Sequence, residues 1–284
     1  EHFSKLNLVA YLGLFKEINN KKLENKLKIF EKNIENNNGK FSEKKIILLN
    51  GAKNLAKDLE EWVLLKKEKF MSPYSKKEIE FEYNLSSKMK KEHDKVHWGS
   101  KKSMYNRYNY VMKELPFPKA KNWLDVGSGI GSFQYLISKN FSKIKAVGLE
   151  LSSELIKVAR EKKILNAKFY QTDFIEYKKK KYDLLTCLGV ISKTNFGLND
   201  FFNHAANLVK ENGLIMVDFK NSEWSKFKKP GFFPDSRHLW FKKKQILQSV
   251  KKNNLFRVIK LVGYQPNRNK LVDIPQSHVI FLIA

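Results

Sequence analysis

"NWLDVGSGIGSF", Asn122 to Phe133, sets a strand-like apolar run directly before Gly127, Gly129 and Gly131 and a helix-like continuation. A ligand at the carboxyl end of such a strand must approach the backbone closely, and a Cβ would be in the way. The following helix offers N–H groups to a carboxylate or phosphate. Glycines also serve tight turns, so the loop alone leaves both readings open.

The next strand narrows the choice. "IKAVGLE" ends in Glu150, roughly 20 residues beyond the loop, where an acidic side chain can accept both hydroxyls of a ribose. Downstream the alternation continues. Strands are predicted over Ala167–Asp173, Tyr182–Val190 and Leu214–Lys220, with helices over Ser152–Ile164 and Leu198–Gly213 between them. Such alternation predicts a doubly wound, mostly parallel α/β sheet covered on both faces. The tail differs: a helix over Lys242–Asn254 precedes two strands, Phe256–Tyr264 and His278–Ala284, with no helix between them. That pattern predicts a terminal antiparallel hairpin.

Neither of two familiar nucleotide loops fits. A Walker loop ends in G-K-S/T, which is missing here, and the dinucleotide spacing would put glycine at Ser132. The pattern D-x-G-x-G-x-G from Asp125, with a terminal hairpin, resembles the class I S-adenosylmethionine-dependent methyltransferases of the small-molecule type. The motifs that carry this resemblance are "LDVGSGIG", "VGLE", "QTDF" and "YDLLTCLGV", and it spans Asn122 to the C-terminus.

The resemblance implies a Rossmann-like, mostly parallel seven-stranded sheet ending in an antiparallel hairpin, with S-adenosylmethionine as cofactor. It implies that Gly127, Gly129 and Gly131 approach the amino-acid half of the cofactor and that Glu150 holds the ribose. Asp173 and Phe174 would meet the adenine, with Leu188 also at the cofactor. Asp125 would orient the glycine loop or the cofactor's amino group. The alternative for Asp173 is a strand-ending turn residue.

Methyl transfer from a sulfonium needs alignment, exclusion of water and, for some acceptors, a base. It needs no metal, and no His/Cys/Asp cluster shows ligand spacing. The end of strand four, "CLGVISKTNF" (Cys187–Phe196), departs from the Asn/Asp-Pro-Pro-Tyr/Phe pattern of many nucleobase-methylating enzymes. It is similar to the "GV" strand end of small-molecule members. Lys193 either binds an anionic acceptor or is solvated. Within the insertion 221–241, "RHLWF" resembles a stretch of small-molecule members. His238 there is the candidate base, with Arg237 and Trp240 as binding partners; a packing or helix-cap role for His238 stays open. Ahead of the first strand, Tyr105, Tyr108 and Met112 share a helical stripe, more typical of a core face. Tyr105 and Arg107 are candidate substrate residues, with His97 and Trp98 ranked behind them.

Composition sets the alternatives. The 284 residues carry 55 Lys and Arg against 29 Asp and Glu, a formal charge of +26. That suits an anionic small molecule, or an RNA or DNA acceptor on a basic surface; a lysine-rich source proteome accounts for it equally well. The tetralysine Lys178–Lys181 precedes strand four and so falls at the amino edge, opposite the expected site. Residues 1–115 read as a helical extension, a lid or a homodimer surface, with Leu55, Leu59, Trp62 and Val63 on one helical face. Residues 116–284 read as the catalytic domain. The single Cys187 excludes an internal disulfide framework and fits a reducing, cytoplasmic compartment. The longest apolar runs, such as "LVAYLGLF", fall far short of a membrane span.

Overall fold

Strand β1 (Asn122–Val126) is apolar apart from Asn122 and Asp125, and four of its five residues are buried. Such continuous burial belongs to a strand covered on both faces. The computed structural model describes residues 74–178, 181–229, 231–232 and 238–284. The helical face expected from Leu55, Leu59, Trp62 and Val63, and the candidate Arg237, lie outside the described residues.

Around β1 lie β2 (Lys145–Glu150), β3 (Ala167–Gln171), β4 (Tyr182–Cys187) and β5 (Val209–Lys220). All of them pair in parallel. Strands β6 (Lys260–Gln265), β7 (Lys270–Val272) and β8 (Val279–Ile283) complete the sheet in the order β3-β2-β1-β4-β5-β8-β6-β7. Strand β8 runs antiparallel to both β5 and β6, which forms the expected terminal hairpin. The sheet has eight strands, not seven. The added β7 is a three-residue edge strand paired to β6, too short to leave an alternation in the sequence. Strand order reverses between β1 and β4, and the carboxyl ends at such a switch point form a crevice.

Helix α1 (Lys76–Ser86) starts in a capping box formed by Ser75 and Glu78. It is followed by α2 (Glu92–Lys95) and α3 (Lys101–Glu114), the latter capped by Ser100. Helices α4 (Ser132–Asn140), α5 (Ser153–Glu161), α6 (Leu198–Leu208) and α7 (Lys243–Asn253) belong to the sheet domain. Helix α6 stops at Leu208 and does not continue to Gly213. Val209 already pairs with Tyr182, and the register between β4 and β5 then shifts. Gly213 is needed there for close approach: a Cβ would lie 2.6 Å from Val209 Cγ1 and 3.0 Å from the Asp183 carbonyl oxygen.

One core layer gathers Leu124, Leu185, Phe201, Phe202, Phe219 and Leu282. The other gathers Trp123, Phe133 and Phe281 with Met104, Tyr108 and Val111 of α3. Helix α3 is therefore part of one face of the fold, and the described residues belong to one compact unit. Among the described residues no helix is long and apolar enough to cross a membrane. Phe202→Ala, at a fully buried ring, is expected to lower stability by about 3–5 kcal/mol in urea unfolding. Leu165→Ala, at an exposed side chain, should stay within about 0.5 kcal/mol.

Candidate active site

All three loop glycines adopt positive φ: Gly127 at 70°, Gly129 at 53° and Gly131 at 72°. Other residues reach this region at a cost, which accounts for the glycine pattern. Gly127 and Ser128 donate to the Leu149 carbonyl at 2.8 and 2.9 Å, tying the loop to β2. Glu150, at the end of β2, accepts from Gly129 N at 3.0 Å with one carboxylate oxygen. The other accepts from Leu151 N at 2.9 Å and Ser152 N at 3.1 Å. Burial pushes its carboxyl upward, and the three N–H bonds oppose that shift.

Asp125 lies beneath the loop and is buried. It accepts from Thr186 Oγ1 at 2.5 Å and from Gln134 Nε2 at 2.8 Å. Thr186 in turn accepts from the Trp123 indole at 2.8 Å. Burial raises the Asp125 carboxyl to about 7, against the lowering effect of its two hydrogen bonds.

A cleft of about 80 Å³ runs along the carboxyl ends of β1, β2 and β4. Gly127, Gly129, Glu150, Asp173, Phe174 and Leu188 line it. The segment ahead of β1 covers it. A Cβ on Gly129 would meet Val96 Cγ1 at 2.7 Å, and one on Gly127 would meet Val190 Cγ2 at 2.1 Å. Asn84 of α1 fastens this cover, its side-chain oxygen accepting from Ser152 Oγ at 2.6 Å. Lys76 reaches Glu176 at 2.8 Å from the other end of the same helix.

A second space of about 840 Å³ adjoins the cleft. Tyr83, Val96, Trp98, Gly189 and Lys193 line both. Next to Gly189 lies a buried ion pair: Arg107 Nη1 is 2.5 Å from Asp218 Oδ2. Asp218 Oδ1 also accepts from Gly189 N at 2.6 Å. The Arg107 guanidinium sits 4.4 Å from the Trp98 ring centroid, and Trp98 faces Gly189.

The structure thus brings together most residues singled out from the sequence. Gly127, Gly129, Glu150, Asp173, Phe174 and Leu188 meet at the cleft, while Arg107, Lys193 and His238 meet at the larger cavity. Lys193 is buried, paired with Glu82, and lies 5.4 Å from the Tyr74 ring centroid. Others sit elsewhere. Gly131 caps α4, and a Cβ there would strike Phe169, not the cleft. The Phe174 ring also packs on Phe201 and His204 in the core. Asp173 closes a turn to Ile175 N and accepts from Asn195 Nδ2 at 2.7 Å. Tyr105 donates to Glu92 at 3.2 Å and is not among the residues lining either space. Trp240 packs against Phe227 and His278 behind the cavity lining. His97 does line the larger cavity, where it stacks on Tyr83 and approaches Glu82 at 3.2 Å.

Trp98, ranked behind Tyr105 and Arg107 from sequence, lines both spaces, and Asp218, Glu82, Trp224 and His278 were not singled out. The Ser75–Glu78 box was the one local signal for α1. Asp218 comes to the site through the pairing of β5 with β4, and His278 through that of β8 with β5.

Comparisons with known proteins agree with this geometry. A family model described as a methyltransferase domain matches residues 118–261, just over half of the chain. By sequence the chain matches no curated protein. Among solved structures it is similar to an S-adenosylmethionine-dependent methyltransferase from Clostridium acetobutylicum, at 16% identity and TM-score 0.51. That match covers 67% of this chain and 94% of the other. It is similar to magnesium protoporphyrin IX methyltransferase from Synechocystis with bound SAH, at 16% identity and TM-score 0.50, over 72% and 91% of the two chains. A glycopeptide N-methyltransferase, MtfA, complexed with S-adenosylmethionine, matches at 11% identity and TM-score 0.50, over 66% and 94%. These likenesses show a shared fold.

The raised Asp125 carboxyl has a consequence for stability. With a folded value of about 7, above the ordinary carboxyl value, the folded protein keeps a proton that the unfolded chain releases from about pH 4 upward. The contribution is full below about pH 4 and is lost as pH rises to about 7. Asp125→Asn, neutral throughout, should therefore remove a fall in stability between about pH 4.5 and 7, read as urea midpoints. Parallel profiles for the two proteins would contradict the assignment.

Proposed function

The chain belongs to the methyltransferase-domain family of class I S-adenosylmethionine-dependent methyltransferases, and from that premise we propose that it methylates a small-molecule acceptor held in the larger cavity. The observation that carries this reading is the shared wall. Trp98, Gly189 and Lys193 line both the cleft at the glycine loop and the cavity. A displacement at carbon needs donor and acceptor in adjoining, oriented spaces.

The cleft's residues fit the cofactor. The positive-φ glycines keep the loop free of side chains, Glu150 lies at the end of β2, and Asp173 sits at the far end of the cleft. S-adenosylmethionine supplies an electrophilic methyl group on sulfur. Glu150 would hold the ribose hydroxyls. Asp173, Phe174 and Leu188 would serve the adenine, and the backbone at Gly127 and Gly129 the amino-acid half. Asp125 acts through Thr186 and Gln134, holding the loop from below.

Residues 74–100 act as a lid. The cleft's 80 Å³ is small beside the roughly 300–1,000 Å³ of ligand sites, and Val96 and Val190 stand over the loop. Entry therefore requires Val96 and its neighbours to withdraw, and their return excludes water. His238, which lines the cavity, takes the proton from the acceptor. Its segment is anchored by Leu239 N donating to the Ser192 carbonyl at 2.6 Å. The enclosing walls from α1, α3 and the turn at Pro266–Arg268 favour a small molecule over a duplex or an extended polyanion.

Incubation with methyl-labelled S-adenosylmethionine and a fractionated cell extract tests this. Label is expected in the small-molecule fraction. His238→Ala should slow transfer at least about 100-fold with S-adenosylhomocysteine affinity unchanged. Label confined to RNA or DNA would overturn the small-molecule reading.

A further inference from the structure

The end of the larger cavity remote from the glycine loop has a chemistry of its own. Trp224 packs at 4.9 Å from the His278 ring centroid, and Trp240 at 5.6 Å from the same ring. Lys226 Nζ stands 4.8 Å from the Trp224 centroid, and Lys220 Nζ 5.6 Å from that of Trp240. Arg268 enters from the turn between β6 and β7. Among the described residues lining the whole cavity, six cations face one carboxylate, Glu82. Arg107 and Lys193, near the cleft, are matched by Asp218 and Glu82. Lys226, Lys229 and Arg268 keep the far end positive.

The backbone holds this end rigid. Asn221 is fully buried at the end of β5. Its side-chain amide donates to the Ile274 carbonyl at 2.5 Å and to the Ser277 carbonyl at 2.8 Å. Asn221 N donates to the His278 carbonyl at 3.1 Å. His278 is thereby fixed over the indoles. Its imidazole is pushed down to about 3 by burial and by the positive field of Lys220, Arg107, His238 and Lys226. A field that disfavours one more proton favours an anion by the same Coulomb terms.

We infer that the acceptor carries an anionic group, a carboxylate or a phosphate on a flat apolar body, and that Lys226, Arg268 and His278 bind that group while Trp224 covers the body. The inference rests on the reading of this cavity as the acceptor site. Ammonium and guanidinium groups supply charge-assisted hydrogen bonds. A neutral imidazole adds one donor, and the indole face supplies apolar area. The group to be methylated then points back toward Trp98 and the cleft.

Three fluorinated probes test it by 19F NMR titration at constant ionic strength: 4-fluorobenzoate, 4-fluorophenyl phosphate and uncharged 4-fluorobenzamide. The wild type is expected to bind at least one anionic probe about tenfold more tightly than the amide. Which of the two binds tells carboxylate from phosphate. Lys226→Met and Trp224→Leu should each bring the anionic probe to near parity with the amide. Both variants should keep wild-type S-adenosylhomocysteine affinity, which also shows that they fold. Equal binding of all three probes, no binding of any, or a preference untouched by the two substitutions would overturn the inference. Loss of S-adenosylhomocysteine binding by the wild type itself would strike the cofactor reading instead, because the probe titration is run without cofactor.

Discussion

A buried ion pair between Arg107 and Asp218 fastens helix α3 to the carboxyl end of β5. Two unpaired charges at that depth would be strongly destabilising, and removing one partner typically costs about 3–5 kcal/mol. Each end also has a further contact. Asp218 takes the Gly189 N–H as well, and Arg107 lies over Trp98. Three pieces distant in sequence, namely the segment ahead of β1, the end of β4 and the end of β5, are thereby locked in one arrangement. The pair thereby supports Gly189 and Trp98, which line both spaces of the site.

The two spaces differ in kind. The cleft is narrow and organised by backbone: positive-φ glycines, and a Glu150 carboxylate that accepts three main-chain N–H groups. The cavity is wide and organised by side chains, many of them cationic or aromatic. Donor recognition by backbone leaves little room for variation, whereas an acceptor space built from α1, α3 and the segments after β5 can change without disturbing the sheet. The proposed lid joins both, since Tyr83, Val96 and Trp98 line each space.

Much of this was legible in the sequence. Gly127, Gly129 and Gly131 stand out because only glycine adopts their φ values freely, and Glu150 because the distance to the next strand end is set by one helix and one strand. The alternation of strand and helix carried the sheet. The rest depends on distances in space. Asp218 reads as an ordinary strand residue until Arg107 is seen against it. His278 reads as the start of a strand until β8 pairs with β5 and sets it beside Trp224 and Lys226. Gly131 shows the opposite limit. It shares the pattern of its neighbours, yet it serves helix packing against Phe169 and lies outside the cleft.

Calorimetric titration of S-adenosylmethionine and S-adenosylhomocysteine shows whether the cleft at the glycine loop and Glu150 binds the methyl donor. One site is expected in the wild type. Glu150→Ala should bind about 10- to 100-fold more weakly, the loss expected for hydrogen bonds to a charged group, and unfolding curves of the variant would confirm a folded protein. No binding by the wild type, or equal affinity in a folded Glu150→Ala, would contradict it.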